Sequence, residues 1–343
     1  MRILVAMSGG VDSTLAAALL VEQGHDVLGG TLHLVDHPPA IDAPDPEGAA
    51  RALGIPFTCW DLRAEFERLV VSPFTTAYAA GRTPNPCALC NSRVKFGLLL
   101  DKARELGADA LATGHYAGLA SGPDGLPRLV RGADRRKDQS YFLFAIARPA
   151  LGKVRFPLGG LTKDRVRAMA RDRGLAAAER EESQEICFVP GDDYAGFLAR
   201  RLPAGAFVPG AIVDTSGRRL GEHRGLAHYT VGQRRGLGVA AGRPLYVVAL
   251  DPGKNELIVG ADADLWRRDL LAASVNWLTD EPAGEFRAAV RIRSRHEPAT
   301  ATLAPAGEGA WWVQFDEPQR AITPGQAAVF YDGDTVLGGG WIQ

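Results

Sequence analysis

The sequence predicts an α/β N-terminal domain with a doubly wound parallel sheet, followed by two small β-rich, barrel-like domains. Three observations carry this. A wholly apolar run over 3–7 feeds directly into Ser8-Gly9-Gly10. Strand-like and helix-like segments then alternate as far as Thr113. After about residue 195, helical periodicity gives way to short β-rich runs between turn residues. At about 150 residues per domain, a chain of 343 residues divides into two or three, and the boundaries are set at 1–196, 197–262 and 263–343.

The run 3–7 has the unbroken apolar character of a strand buried on both faces of a parallel sheet. From Asp12 the chain turns helical: 14–21 is rich in Leu and Ala, and Gly24 stands where a left-handed C-cap is wanted. A second strand follows over 27–34 and a mobile Pro/Asp/Ala-rich loop over 36–46. Next come a helix over 47–53 closed by Gly54, a strand over 55–59, a helix over 94–106 closed by Gly107, and a strand over 110–113. In the middle domain 246–250 and 257–259 read as strands beside turns at Asp251-Pro252-Gly253 and Asn255-Glu256. The last domain has strands over 288–292, 311–315 and 327–331 before Gly338-Gly339-Gly340, with Trp277, Trp311 and Trp312 placed in its core rather than stacked on bases.

The composition, 46% hydrophobic and 23% charged with a formal charge of -1, excludes a disordered chain and a uniformly basic nucleic-acid coat. No apolar stretch approaches 18 residues and no charged leader precedes Arg2, so the chain reads as cytoplasmic, with no membrane partner. Its four cysteines, Cys59, Cys87, Cys90 and Cys187, are too sparse for a disulfide scaffold. The Cys87/Cys90 spacing reads instead as metal or redox chemistry in a reducing compartment. Two cysteines cannot complete a tetrahedral site, and Cys187, 97 residues after Cys90, is the leading third ligand. Cys59, in a strand, reads as a buried inert thiol.

Ser8-Gly9-Gly10-Val11-Asp12-Ser13 lies between strand and helix, so backbone N–H groups, two hydroxyls and a helix N-terminus face one anion-sized space. It matches neither the dinucleotide fingerprint nor the P-loop. The hexapeptide resembles the pyrophosphate loop of the ATP pyrophosphatases, enzymes of the adenine nucleotide α-hydrolase-like fold. That likeness implies cleavage of ATP between its α- and β-phosphates and activation of an oxygen by adenylation. Asp12 reads either as a helper for Mg²⁺ or as an ordinary helix cap.

Further motifs extend the likeness over nearly the whole chain: Thr83-Pro84-Asn85-Pro86 with Cys90-Asn91, Ala112-Thr113-Gly114-His115-Tyr116, Lys137-Asp138-Gln139-Ser140-Tyr141-Phe142, Ile186-Cys187-Phe188, 229–238, Thr323-Pro324-Gly325-Gln326 and the final glycine triplet. Together they resemble the tRNA-specific 2-thiouridylases. The resemblance implies that Ala6, Met7, Ser8, Gly9, Gly10, Val11, Asp12, Ser13, Leu32 and Gly114 line an ATP site. It implies that Asn85, Pro86 and Cys87 meet the target base, wobble uridine 34. It further implies that His115, Lys137, Asp138, Gln139, Arg295, His296 and Gln326 touch tRNA. The reacting cysteines fall on Cys90 and Cys187, with Cys187 carrying a persulfide that Cys90 resolves into a disulfide. The sulfur donor would be a cysteine desulfurase, a relay protein or free sulfide. Cys87 departs from the many members that carry Asp at this position, and it matches a subset in which three cysteines hold a [4Fe-4S] cluster. The cluster is favoured over the relay.

Locally the chain is more basic than its net charge suggests. Residues 215–245 hold six arginines, Arg218, Arg219, Arg224, Arg234, Arg235 and Arg243, against Glu222 alone, a patch suited to a phosphate backbone. Arg291, Arg293 and Arg295 are expected to alternate along one strand and share a face, with Arg287 and His296 nearby. Two rival functions stand beside thiolation: an amidating ligase with a pyrophosphate loop, which leaves the three cysteines idle, and a zinc-containing RNA-binding protein without turnover, which leaves the Ser8–Ser13 loop unexplained.

Overall fold

The computed structural model describes residues 1–36, 44–179, 186–189, 191, 193–202, 207–239 and 241–343. Most of the expected 36–46 loop, and Ser183 to Glu185 ahead of the third cysteine, lie outside the described residues.

Strand β1 (Arg2–Ala6) is the middle of a five-stranded sheet with β2 (Asp26–His33), β3 (Phe57–Asp61), β4 (Ala110–Ala112) and, after a β5–β6 hairpin (Ala117–Ser121, Pro127–Arg131), β7 (Val154–Arg155). The order is β3-β2-β1-β4-β7 and every pairing is parallel. Alternation along β1 makes the sheet doubly wound. Ile3 and Val5 pack with Ala17, Leu20 and Ala50 on one face, whereas Leu4 packs with Phe96, Leu99 and Ala103 on the other. The first face is covered by α1 (Val11–Glu22) and α2 (Pro46–Ala52), the second by a continuous helical run over 86–105. Strand order reverses between β1 and β4, and in such sheets ligands bind at that point, beyond the carboxyl ends of the strands.

The helix expected over 94–106 starts eight residues earlier. Asn85 is its N-cap, accepting a bond from Ala88 N at 3.2 Å, and Pro86 occupies the first turn. Its middle, Cys90–Leu99, is wound as a π-helix. Cys59 is also corrected: it lies on β3, the sheet edge, and is exposed rather than buried.

After the sheet domain, β8 (Gly210–Asp214), β9 (Arg219–His223), β10 (Tyr246–Asp251) and β11 (Glu256–Gly260) form a four-stranded sheet in the order β10-β11-β8-β9. The last six strands are β12 (Trp266–Trp277), β13 (Phe286–Arg291), β14 (Ala299–Pro305), β15 (Trp311–Arg320), β16 (Ala327–Asp332) and β17 (Thr335–Ile342). They close into a barrel because β12 pairs with both β15 and β17. The β5–β6 hairpin extends that sheet through Thr335↔Val130, so sheet domain and barrel share strands as well as a core. Trp277 and Trp311 pack edge to face at 5.2 Å inside the barrel, but Trp312, next along β15, points outward and is half exposed. The expected arginine stripe does not form. Its strand ends at Arg291, which is buried, while Arg293 and Arg295 lie exposed on the turn beyond.

Candidate active site

The Ser8–Ser13 segment leaves β1 at the switch point and is shaped by its own hydroxyls. Ser13 Oγ accepts from Ser8 N at 3.1 Å and donates to Gly10 O at 3.1 Å, and Thr14 Oγ1 donates to the same carbonyl at 2.9 Å. Gly9 has φ +76°, and a Cβ there would stand 2.8 Å from Asp45 N, so both conformation and space demand glycine. No side chain caps the N-terminus of α1, whose first N–H groups stay open toward an anion. Gly114, just past β4, lets that strand's exit approach α1: a Cβ would lie 2.8 Å from Ser13 N.

A cavity of about 290 Å³ opens over this loop, at the lower edge of the ~300–1,000 Å³ typical of small-molecule sites. Seven of the ten residues expected around ATP line it: Ala6, Met7, Ser8, Asp12, Ser13, Leu32 and Gly114. Gly9, Gly10 and Val11 shape the loop behind it. Gly30, Thr31, Leu34, Lys95, Leu99 and Thr113 complete the wall, together with His115 and Gln139, two residues expected at tRNA.

Asp12 is neither a cap nor a free metal ligand. Lys163 Nζ donates to both its carboxylate oxygens at 2.8 and 2.9 Å, and Tyr116 donates to Oδ1 at 2.7 Å. Among the described residues lining the cavity, Mg²⁺ therefore meets a single carboxylate, already neutralised by a buried lysine. Lys163 carried no sequence signal, because 151 residues separate it from Asp12. His115 is buried, with Nδ1 2.7 Å from Thr113 Oγ1 and rings of Phe96 and Phe156 around it. Burial, then the nearby charge of Lys95, hold its pKa well below the usual imidazole value, so it is neutral at pH 7.

All four thiols are free. Cys90 is buried in a cluster that also takes in Phe66, Phe74, Val94, Phe197 and Phe188, the residue after Cys187. Phe188 is wedged between Phe74 at 5.2 Å and Phe66 at 5.5 Å, which fixes Cys187 on the Cys90 side of the molecule. Cys87 and Cys187 are exposed at the surface, although enough protein surrounds each thiol to desolvate it. Burial raises the pKa of all three thiols, and that of Cys187 is pushed up to about 11 by burial and then by Cys90 and Cys87. The three are thus near enough to feel one another, and Lys95 opposes the shift at each. In donor type they suit a soft metal cluster. In this arrangement no three His, Cys, Asp or Glu side chains among the described residues are assembled to hold a metal ion.

The residues expected at tRNA divide. Asn85 and Asn91 are buried amides, each with one end fixed by the main chain: Asn85 Oδ1 by Ala88 N, and Asn91 Nδ2 by Phe142 O at 3.1 Å. Of the other ends, Asn91 Oδ1 has no partner among the described residues, while the Asn85 amide lies beside the Tyr141 hydroxyl without a well-formed hydrogen bond from Nδ2. Pro86 is buried at the same helix start. Gln326 holds this segment from the barrel, its Nε2 donating to Thr83 O at 3.0 Å and Pro84 O at 3.2 Å. Asp138 is turned inward. Its carboxylate accepts from Arg291 Nη1 at 2.8 Å, from Gly132 N at 3.0 Å and from Ser140, so it anchors its loop instead of facing solvent. Next to it, Gln139 accepts from Tyr116 N at 2.9 Å and reaches the cavity. Lys137 is partly exposed, Arg295 is exposed, and His296 pairs with Gln319 at 2.9 Å. In the basic segment, Arg218 pairs with Asp214 and Arg219 with Glu222, leaving Arg224, Arg234, Arg235 and Arg243 exposed without an ion pair to the described residues.

Three family descriptions match the chain in succession: tRNA methyl transferase HUP domain over residues 1–191, tRNA methyl transferase PRC-barrel domain over 195–261, and aminomethyltransferase beta-barrel domain over 267–342. The curated tRNA-specific 2-thiouridylase of Syntrophotalea carbinolica is 52% identical, covering 99% of this chain and 98% of its own. That of Geobacter metallireducens is 50% identical over 100% and 96%, and that of Chloroflexus aurantiacus 50% over 99% and 98%. Identity of one residue in two across the full length shows that the chain belongs to the tRNA-specific 2-thiouridylase family.

Proposed function

We propose that this protein is an ATP-dependent tRNA sulfurtransferase that converts uridine 34 to 2-thiouridine. The observation that carries the reading is the join between two sites: one helical run, 86–105, supplies Cys87 and Cys90 to the thiol group and Lys95 and Leu99 to the cavity above the Ser8–Ser13 loop. The C2 oxygen of uridine is a poor leaving group. It attacks the α-phosphorus of ATP, pyrophosphate departs with the electron pair of the broken P–O bond, and C2 becomes electrophilic. Open N–H groups at the start of α1 take the pyrophosphate charge. Any Mg²⁺ enters with the nucleotide's phosphates.

The target base must leave its stack to reach these groups. Uracil offers a carbonyl acceptor at O4 and a donor at N3; Nδ2 of Asn85, beside the Tyr141 hydroxyl, and the unmatched Oδ1 of Asn91 are the complementary donor and acceptor. The barrel, with Arg295, His296 and Gln326, and the middle domain's exposed arginines hold the anticodon arm, with His115 in the cavity wall and Lys137 on the loop that leads to Gln139.

Sulfur reaches C2 from the thiols. In a relay, the terminal sulfur of a Cys187 persulfide attacks C2 and AMP leaves. Cys90 thiolate then attacks the Cys187 sulfur, breaking its bond to the transferred sulfur and leaving a disulfide. A thiol reductant reopens the disulfide, and Cys187 thiolate then takes the outer sulfur of a persulfide on a cysteine desulfurase or relay protein, whose own thiolate leaves; free sulfide reloads Cys187 only by attacking its sulfur in the intact disulfide, with Cys90 thiolate leaving. The presence of cysteine instead of a carboxylate at 87 favours the alternative, in which Cys87, Cys90 and Cys187 would hold a [4Fe-4S] cluster and the cluster would supply sulfide. In this structure that requires the three thiols to draw closer.

Anaerobically purified protein, assayed for thiolation of unmodified tRNA, tests both levels. Cys90→Ser and Cys187→Ser are expected to lower the rate by at least about 1,000-fold. Loss of activity in Cys87→Ala together with loss of iron and labile sulfide supports the cluster, and retained activity supports the relay. Undiminished thiolation by Cys187→Ser would overturn both. Pyrophosphate release driven by a carboxylate substrate plus ammonia would favour the amidating ligase instead.

A further inference from the structure

The cavity above the Ser8–Ser13 loop has a charge requirement that its loop does not meet alone. Asp12 and Lys163 neutralise each other, and His115 is neutral. Among the described residues lining the cavity, Lys95 is the only permanent cation, and no described residue forms an ion pair or hydrogen bond with its ammonium group.

Helix geometry explains why a residue five positions after Cys90 belongs to the same site. In an α-helix, five residues turn roughly 500°, leaving the two side chains about 140° apart. The segment Cys90–Leu99 is a π-helix, whose hydrogen bonds close i→i+5 and so bring Lys95 round above Cys90. Lys95 therefore stands where the cavity wall and the thiol group meet. Its charge is felt on both sides, at His115 in the cavity and at Cys87, Cys90 and Cys187 beyond it.

We propose that Lys95 grips the α-phosphate of the bound nucleotide, holding the phosphate of AMP on the side of the cavity that faces the thiols. The assignment rests on the adenylating reading above. While ATP is intact, the N-terminus of α1 serves the departing pyrophosphate and Lys95 the phosphate that stays. Once pyrophosphate has left, an anionic sulfur must approach a base that carries a phosphate. A cation between the two anions reduces their repulsion at that step.

Calorimetric binding of AMP and of adenosine, with ATP alongside, separates a phosphate contact from a merely structural role. The proteins are native, Lys95→Met, Lys95→Gln and Lys95→Arg. The expected result is that Lys95→Met and Lys95→Gln weaken AMP by about 10-fold or more while adenosine stays within about 2-fold, and that Lys95→Arg keeps AMP within about 3-fold of native. Equal losses for AMP and adenosine, or no loss for either in a variant that still binds adenosine, would overturn the assignment. Native protein that binds no adenine nucleotide would remove the adenylating reading and the assignment with it. Native preference for AMP over adenosine that persists in Lys95→Met would remove the assignment alone.

Discussion

At the residue scale, function lies in a few side chains whose surroundings change their ordinary chemistry. His115 is the clearest case, because burial among Phe96, Phe156 and Thr113 keeps it uncharged. Its folded pKa lies below the 6.5 of the free imidazole, so below pH 6.5 the unfolded chain takes up a proton that the native state refuses. Stability is then fully present above that pH and falls as pH drops through it, at about 1.4 kcal/mol per pH unit for one such histidine. His228 and His296, also held low by burial, add in the same direction. Urea unfolding of native protein and His115→Gln at pH 7.5 and 5.5 measures this. The variant should lose about 1 kcal/mol less than native on acidification, and equal losses would show that His115 is charged when folded. This histidine was legible as a strand-end residue near the site, but its neutrality was not, because the rings that desolvate it come from positions 96 and 156.

At the element scale, the helical run 86–105 and the turn ahead of β16 decide whether the site is assembled. Sequence reading found the motif Asn85-Pro86-Cys87 and the later helix but took them as separate features. The link is the N-cap of Asn85 with Pro86 in the first turn, a helix-start signal present in the motif itself. The π-winding of Cys90–Leu99 had no sequence signature, and with it Lys95 was missed. Gln326 was expected at tRNA. Its amide also spans two carbonyls of the segment that leads into the helix, and it accepts from Tyr141 Oη at 3.4 Å. Gln326→Leu removes these bonds, each worth about 0.5–1.5 kcal/mol, and frees the approach to Cys87 and Cys90. Single-turnover thiolation should slow by about 10-fold or more, whereas tRNA affinity in filter binding should fall by less. A loss confined to affinity would make Gln326 a docking residue only.

At the scale of the whole molecule, the barrel is part of the catalytic body. Tyr141, Leu143 and Phe144 share one buried cluster with Ala327, Val329, Tyr331 and Val336, and the β5–β6 hairpin extends the barrel's sheet. The guanidinium of Arg291, at the end of β13, pairs with Asp138 and also donates to Ser294 O, so one buried cation ties the cavity-side loop to the turn that carries Arg293 and Arg295. Alternation and turn residues made three regions and their strand content legible. They could not reveal pairings such as Arg291 with Asp138, 153 residues apart, or the sharing of strands between domains. The arginine stripe failed for the same reason: alternation was counted past the end of the strand. This joined architecture places the cavity, the thiols and the turn that carries Arg293 and Arg295 in one frame, and the proposed reaction stands on their acting together. The most direct measurement is the yield of AMP against 2-thiouridine, with labelled ATP, a sulfur source and unmodified tRNA. The prediction is one AMP per thiolated uridine and no AMP without tRNA; AMP formed at an undiminished rate in the absence of tRNA, or thiouridine formed without AMP, would contradict it.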